Sequence, residues 1–178
     1  RVHRAAMVVV MAIVVVLFAG CGEYQKLLKS KDPQLKYEAA LQYFNEGQYV
    51  RAQSLLEDVA TYYKGTERNE DIVCYKARCS MGNKDYETAA EYYEAYVRNY
   101  PKGKYIMEAR YQIGHCYYID APDARLDQQI TQKAIRWLTE FVEMFPESPY
   151  AADAYKQIDE MYDRLAQKEY FSAELYYN

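Results

Sequence analysis

Between Asp85 and Pro101 apolar positions fall in a helical rhythm. Ala89, Tyr93, Tyr96 and Tyr100 recur at steps of four, three and four and share one helix face. Asp85 can accept from the first free N–H groups of that helix, and Pro101 cannot continue it. The pattern returns on either side. Tyr49, Ala52, Leu56 and Val59 form an earlier version, and Gln132, Ala134, Leu138, Phe141 and Pro146 a later one. The alanines Ala52, Ala89 and Ala134 are 37 and then 45 residues apart. A second frame is independent of the first. Ala40, Ala77 and Gly114 are each 37 apart, and each is followed three residues later by Tyr43, Ser80 or Tyr117.

Together the frames predict helical hairpins. Asp32-Pro33 opens the first, with Asp as cap and Pro in the first turn. A helix over Leu35–Glu46 then stops at Gly47, where positive φ is cheap, and Tyr49–Tyr63 returns. The second pairs Asp71–Met81 with the Asp85 helix across Gly82-Asn83-Lys84. The third pairs Lys104–Tyr118 with Gln128–Phe145. Its connection, Ile119 to Asp127, holds the eight extra residues that turn 37 into 45. Ser148-Pro149 reads as a start like Asp32-Pro33. Tyr162 falls where Tyr117 did, and a last first-helix is predicted from near Glu169, with Ala173 and Tyr176. Each hairpin leaves an apolar face that only a neighbour can cover, which predicts an all-α stack with a concave groove.

Composition agrees with thin helical layers. Tyr occurs 22 times against 5 Phe and 1 Trp, and a Tyr ring packs as a hydrophobe while tolerating a wet edge. Gly and Pro are few, seven and five, and sit mostly at helix ends. The formal charge is −4, about −6 once Arg1 and Arg4 are removed, which speaks against nucleic acid and against broad electrostatic membrane binding.

Arg1 and Arg4 precede an uncharged run, Ala5 to Gly20, too short for a membrane span of about 20 residues. A basic start, an apolar middle and a small-residue end make residues 1–20 an export signal. Leu17-Phe-Ala-Gly-Cys21 resembles the lipobox of bacterial lipoproteins, with Phe18 where Leu is usual. The resemblance implies cleavage before Cys21, its lipidation, and, with Gly22 rather than Asp next, retention in the outer membrane. Residues 21–32 are then a lipidated tether and 33–178 the repeat domain, which the pattern predicts to be truncated at its C-terminus.

Catalytic chemistry is sparse. His3 leaves with the signal, and His115 has no identifiable partners for a metal site or a nucleophilic triad. There is no phosphate-binding glycine loop. Cys74 and Cys79 point about 140° apart on one helix and cannot pair; with Cys116 they read as small buried apolar residues. Acidic pairs such as Glu57-Asp58 and Asp159-Glu160 read as solvated helix faces. These observations predict no enzyme, no metal and no cofactor.

The two-helix unit of about 34 residues resembles the tetratricopeptide repeat, through Ala77, Gly82, Tyr86, Ala89, Tyr93, Tyr96 and Pro101 above all. Ala40, Tyr43, Gly47, Tyr49, Ala52 and Leu56 carry the first hairpin, with Lys64 in the proline place, and Gly114, Tyr117, Ala134 and Pro146 the third. Asp159 stands where the fourth needs a small residue. The fold implied is a right-handed superhelical solenoid.

The whole mature chain resembles the BamD (YfiO) family of lipoproteins of the outer-membrane β-barrel assembly machine, in a form similar to that of Bacteroidetes. Cys21 close to the repeats, Phe145-Pro-Glu-Ser-Pro-Tyr-Ala151, and Arg164-Leu-Ala-Gln-Lys-Glu169 leading to Ala173-Glu-Leu-Tyr-Tyr177 carry that resemblance. It implies a non-enzymatic scaffold on the periplasmic side of the outer membrane that holds the BamA β-barrel protein and the other complex subunits and engages unfolded outer-membrane proteins. By register the groove face includes Tyr37, Leu41, Phe44, Cys74, Arg78, Tyr111, His115 and Tyr118, an aromatic surface with a cation suited to an extended peptide. The alternative is a periplasmic repeat adaptor of the Tol-Pal or peptidoglycan-coordination type. That class lacks a lipobox and carries a coiled coil. A surface glycan-binding lipoprotein of the SusD type would be longer and richer in Trp than a chain whose single one is Trp137.

Overall fold

The computed structural model describes residues 22–177, with side chains to Glu174. The signal segment 1–20 and Cys21 lie outside the described residues. All regular structure among them is helical. Residues 22–29 form α1. The others are α2 (Pro33–Asn45), α3 (Tyr49–Ala60), α4 (Glu67–Gly82), α5 (Tyr86–Asn99), α6 (Ile106–Asp120), α7 (Gln129–Met144) and α8 (Ala151–Tyr177). Each of α2–α3, α4–α5 and α6–α7 is a packed antiparallel hairpin, and α5–α6 and α7–α8 pack in turn. The chain divides into two compact units, residues 1–62 and 63–178.

In the first unit Asp32 caps α2, its Oδ1 accepting from the N–H of Gln34 at 2.9 Å and of Leu35 at 3.2 Å, with Pro33 in the first turn. Gly47 ends the helix with φ of 73°. Tyr37, Ala40, Ala52, Leu55, Leu56 and Val59 are buried. Residues 22–29, expected as tether, are helical.

In the second unit Cys74, Ala77, Ala89, Ala90, Tyr93, Tyr96, Ala109, Ile113 and Cys116 form one buried cluster. Tyr111, Leu138, Phe141, Val142, Ala154 and Ile158 form the next. The predicted small residues mark close approaches. A Cβ on Gly114 would sit 2.7 Å from the Leu138 side chain, so α6 and α7 meet at a distance only glycine permits. Cys74, Cys79 and Cys116 are buried free thiols, as their helical setting predicts.

Three expectations change. The second turn, expected across Gly82-Asn83-Lys84, begins one residue later: Gly82 is still helical, and Lys84 takes the left-handed conformation with φ of 60°. Ser148 does not cap α8: its buried Oγ has no hydrogen-bond partner, and the helix starts at Ala151. No new helix begins near Glu169. The sequence from Ala151 to Tyr177 contains no Gly or Pro to stop it, and α8 runs through as a single helix of 27 residues.

Candidate functional site

In the second unit the first helices of successive hairpins, α4, α6 and α8, are joined by side chains reaching across from one to the next. Beside a sulfur contact from the Cys116 thiol on α6 to Met81 on α4 at 3.1 Å, these links set a tyrosine, arginine, lysine or histidine against an acid or amide. At the α4–α6 step, Arg78 forks onto Glu108, its Nε donating to Oε1 at 2.8 Å and a terminal nitrogen to Oε2. Its guanidinium also lies 5.0 Å from the Tyr75 ring centroid and 4.8 Å from that of Tyr105. The Glu108 hydrogen bond holds the Arg78 proton more tightly than usual. Tyr105 donates to Asp71 at 2.7 Å, and Lys104 pairs with the same carboxylate.

Beneath that step lies a second knot. Tyr96, fully buried, donates to Glu70, whose Oε1 also accepts from the Lys104 N–H at 2.7 Å. The Tyr96 oxygen in turn accepts from the Tyr105 N–H at 2.8 Å. The backbone passes so close that a Cβ on Gly103 would lie 2.3 Å from the Tyr96 hydroxyl.

At the α6–α8 step, Tyr111, His115 and Tyr118 share one face of α6 at spacings of four and three. Their rings stack, Tyr111 on His115 at 5.4 Å and His115 on Tyr118 at 6.1 Å between centroids. Tyr150 continues the row, 4.6 Å from Tyr111. The Tyr111 and Tyr118 hydroxyls donate to Asp153 and Glu160. His115 Nδ1, taken as the protonated nitrogen, donates to Gln157 Oε1 at 3.2 Å. Gln157, itself buried, donates back to Tyr111 at 3.2 Å and to Asp153. Burial first, and then the Asp153 carboxylate, raise the Tyr111 phenol above its ordinary value. For Tyr118 the bond to Glu160 is the leading cause of the same rise.

The residues expected on the groove face therefore divide. Tyr37, Leu41 and Phe44 lie on α2 in the first unit, Tyr37 buried and the other two half-buried. Cys74 is wholly enclosed in the α4–α6 core and lines no surface, because its position on α4 turns toward α5 and α6. Burial pushes its thiol up to about 12. Tyr111 is 6% exposed and committed to α8. Arg78, His115 and Tyr118 are half-buried, and Arg78 is already engaged with Glu108. What the sequence reading missed is the acidic half of these links. Asp153, Gln157 and Glu160 each lie 42 residues after their partners Tyr111, His115 and Tyr118. That constant offset was available in the sequence as a repeat of pairs.

Among the described residues no group of three His, Cys, Asp or Glu is arranged to hold a metal ion.

Solved structures of TPR-like repeats from a putative kinesin light chain of Podosopora anserina share the fold. One superposes with a TM-score of 0.51 at 19% identity over 79% of this chain and 74% of its own. Another gives 0.51 at 18% identity over 82% and 78%. The outer membrane protein assembly factor BamD of Caulobacter vibrioides is 24% identical over 170 residues, covering 93% of this chain and 56% of the relative. The chain thus spans about half the length of that curated relative. Residues 29–178 match the YfiO family, described as an outer membrane lipoprotein. With that match over most of its length, on a stack of tetratricopeptide-like hairpins, the chain belongs to the YfiO family of outer membrane lipoproteins.

Proposed function

We propose that this chain is part of a non-enzymatic scaffold lipoprotein for β-barrel assembly, anchored through Cys21 to the periplasmic face of the outer membrane. Its partners in this reading are a BamA-like β-barrel protein, the other subunits of the complex and unfolded outer-membrane proteins. Membership of the YfiO family is the observation that carries the proposal. The hairpin stack supports it physically. Helices cross-linked by charged and aromatic pairs hold a surface in fixed shape, which is what a preorganised binding scaffold requires.

Leu41 and Phe44 on α2, and His115 and Tyr118 on α6, are the proposed partner-facing side chains. Arg78 contributes by holding α4 to α6, because a peptide carboxylate could claim its guanidinium only by displacing Glu108. The test is affinity recovery of the full-length, lipidated protein from detergent-solubilised outer membrane, with bound proteins identified by mass spectrometry. A large β-barrel protein with repeated periplasmic domains is the expected companion. Recovery of Tol-Pal or cell-wall proteins without that barrel overturns the proposal.

A further inference from the structure

Residues 22–31 have the composition of a slack tether, but they are fastened to the first hairpin along one side. Tyr24 meets Tyr43 edge-on with 5.6 Å between ring centroids. The Arg51 guanidinium lies 5.2 Å from the Tyr24 centroid and 5.6 Å from that of Tyr43, and is itself held by Gln48 at 2.7 Å. Lys36, buried and paired with Asp58, donates to the Leu28 carbonyl at 3.0 Å, satisfying an acceptor that the end of α1 leaves open. At about 100° per residue, Tyr24 and Leu28 share this side of α1, and Lys26 and Lys29 fall on the opposite one.

That opposite side is exposed and basic. Lys26 and Lys29 on α1, and Lys31 two residues past its end, all face solvent, and Glu23 is the one acid among residues 22–31 of a chain whose formal charge is −4. Leu27 and the half-exposed Leu35 border Lys26, Glu23 and Ser30 in one shallow depression. The basic segment directly follows the residue read as the lipid attachment point.

We infer that α1 is a membrane contact, with Lys26, Lys29 and Lys31 on anionic phospholipid headgroups while its Tyr24 side seats the first hairpin at the bilayer surface. The inference rests on acylation of Cys21. Acyl chains alone hold a protein near the leaflet and leave its orientation free; a docked basic helix beside them adds an electrostatic second signal and fixes a face. The overall acidity of the chain confines this attraction to α1, since exposed charges farther than about 8 Å from the headgroups are screened at physiological salt.

Amine acetylation of the full-length lipidated protein, read by mass spectrometry, tests this in nanodiscs of phosphatidylethanolamine with phosphatidylglycerol and in nanodiscs of phosphatidylcholine alone. Lys26, Lys29 and Lys31 are expected to react several-fold more slowly in the anionic discs, and the exposed Lys84 and Lys102 equally in both. The difference disappears in about 1 M salt, where the screening length falls to about 3 Å. In the variant carrying Lys26→Glu and Lys29→Glu, Lys31 loses its protection. Equal reactivity of the three lysines in both discs, with the N-terminal peptide carrying acyl mass, overturns the inference and leaves the anchor standing. A bare Cys21 in that peptide overturns the anchor and the inference together.

Discussion

Lys84 closes the second hairpin turn in the left-handed conformation that Gly47 adopts in the first, 37 residues earlier. The two turns share their closing bond: Gln48 N–H to Tyr43 carbonyl at 2.8 Å, and Asp85 N–H to Ser80 carbonyl at 2.9 Å. A non-glycine residue held there costs about 1–2 kcal/mol, and the exposed Lys84 side chain recovers little of it. Lys84→Gly is therefore expected to stabilise the protein by roughly 0.5–1 kcal/mol once glycine's greater freedom in the unfolded chain is deducted. The urea midpoint should rise with the slope unchanged; an unchanged or lower midpoint refutes the assignment. The 37-residue frame places Lys84 where Gly47 stands, but a lysine carries no residue-type signal of positive φ, so the conformation did not show in the sequence. Gly114 was legible for the opposite reason, since its place in the frame required a small residue and Leu138 supplies the neighbour that makes it so.

Among the elements, the expanded connection between α6 and α7 and the length of α8 explain each other. Gln128, buried, folds the connection onto itself, donating to the Asp123 carbonyl at 2.8 Å and the Leu126 carbonyl at 3.1 Å while accepting from Thr131 at 2.7 Å. From α8, Arg164 donates to the carbonyls of Ala121 at 2.6 Å and Pro122 at 3.0 Å, and Lys168 to that of Leu126 at 3.1 Å. The Arg125 guanidinium lies 4.8 Å from the Phe171 ring centroid. A helix that stopped before Glu169 would forgo part of this grip. Gln128→Ala removes both bonds that fold the connection and strands the buried Thr131 hydroxyl, and a loss of about 1–3 kcal/mol in urea unfolding is expected, with faster proteolysis between residues 121 and 128. Stability within about 0.5 kcal/mol of the parent would show the connection to be held by α8 alone. The eight extra residues marked the connection in the sequence; its anchoring did not show, because it runs through backbone carbonyls that every residue possesses.

Across the whole chain, the abundance of tyrosine acquires a reason beyond packing. Tyr96, Tyr105, Tyr111, Tyr117 and Tyr118 each donate to a carboxylate on another helix, so the rings fill the layers and the hydroxyls connect them. The sequence made the rings legible through their spacing and hid the bonds, whose acids resemble ordinary solvated ones. The arrangement has a pH signature. Burial, and next the bond to Asp71, push Tyr105 up to about 12, and burial pushes the Cys74, Cys79 and Cys116 thiols to about 12 as well. The folded chain thus keeps protons that the unfolded chain releases from about pH 9 upward. Their contribution to stability is complete below that pH and is lost as pH rises toward 12. Urea midpoints measured from about pH 8 to 11 should fall, and Cys116→Ala should make the fall shallower; a flat profile contradicts the burial. Finally, α8 is mechanically a rod, about 40 Å long at 1.5 Å per residue. It is clamped to α6 near Asp153 and to the α6–α7 connection at Lys168, roughly 22 Å further along. Between them Gln157, Glu160 and Arg164 grip it as well, so a load applied to the connection arrives at the stacked rings of Tyr111 and His115 as a displacement of α8 as a whole.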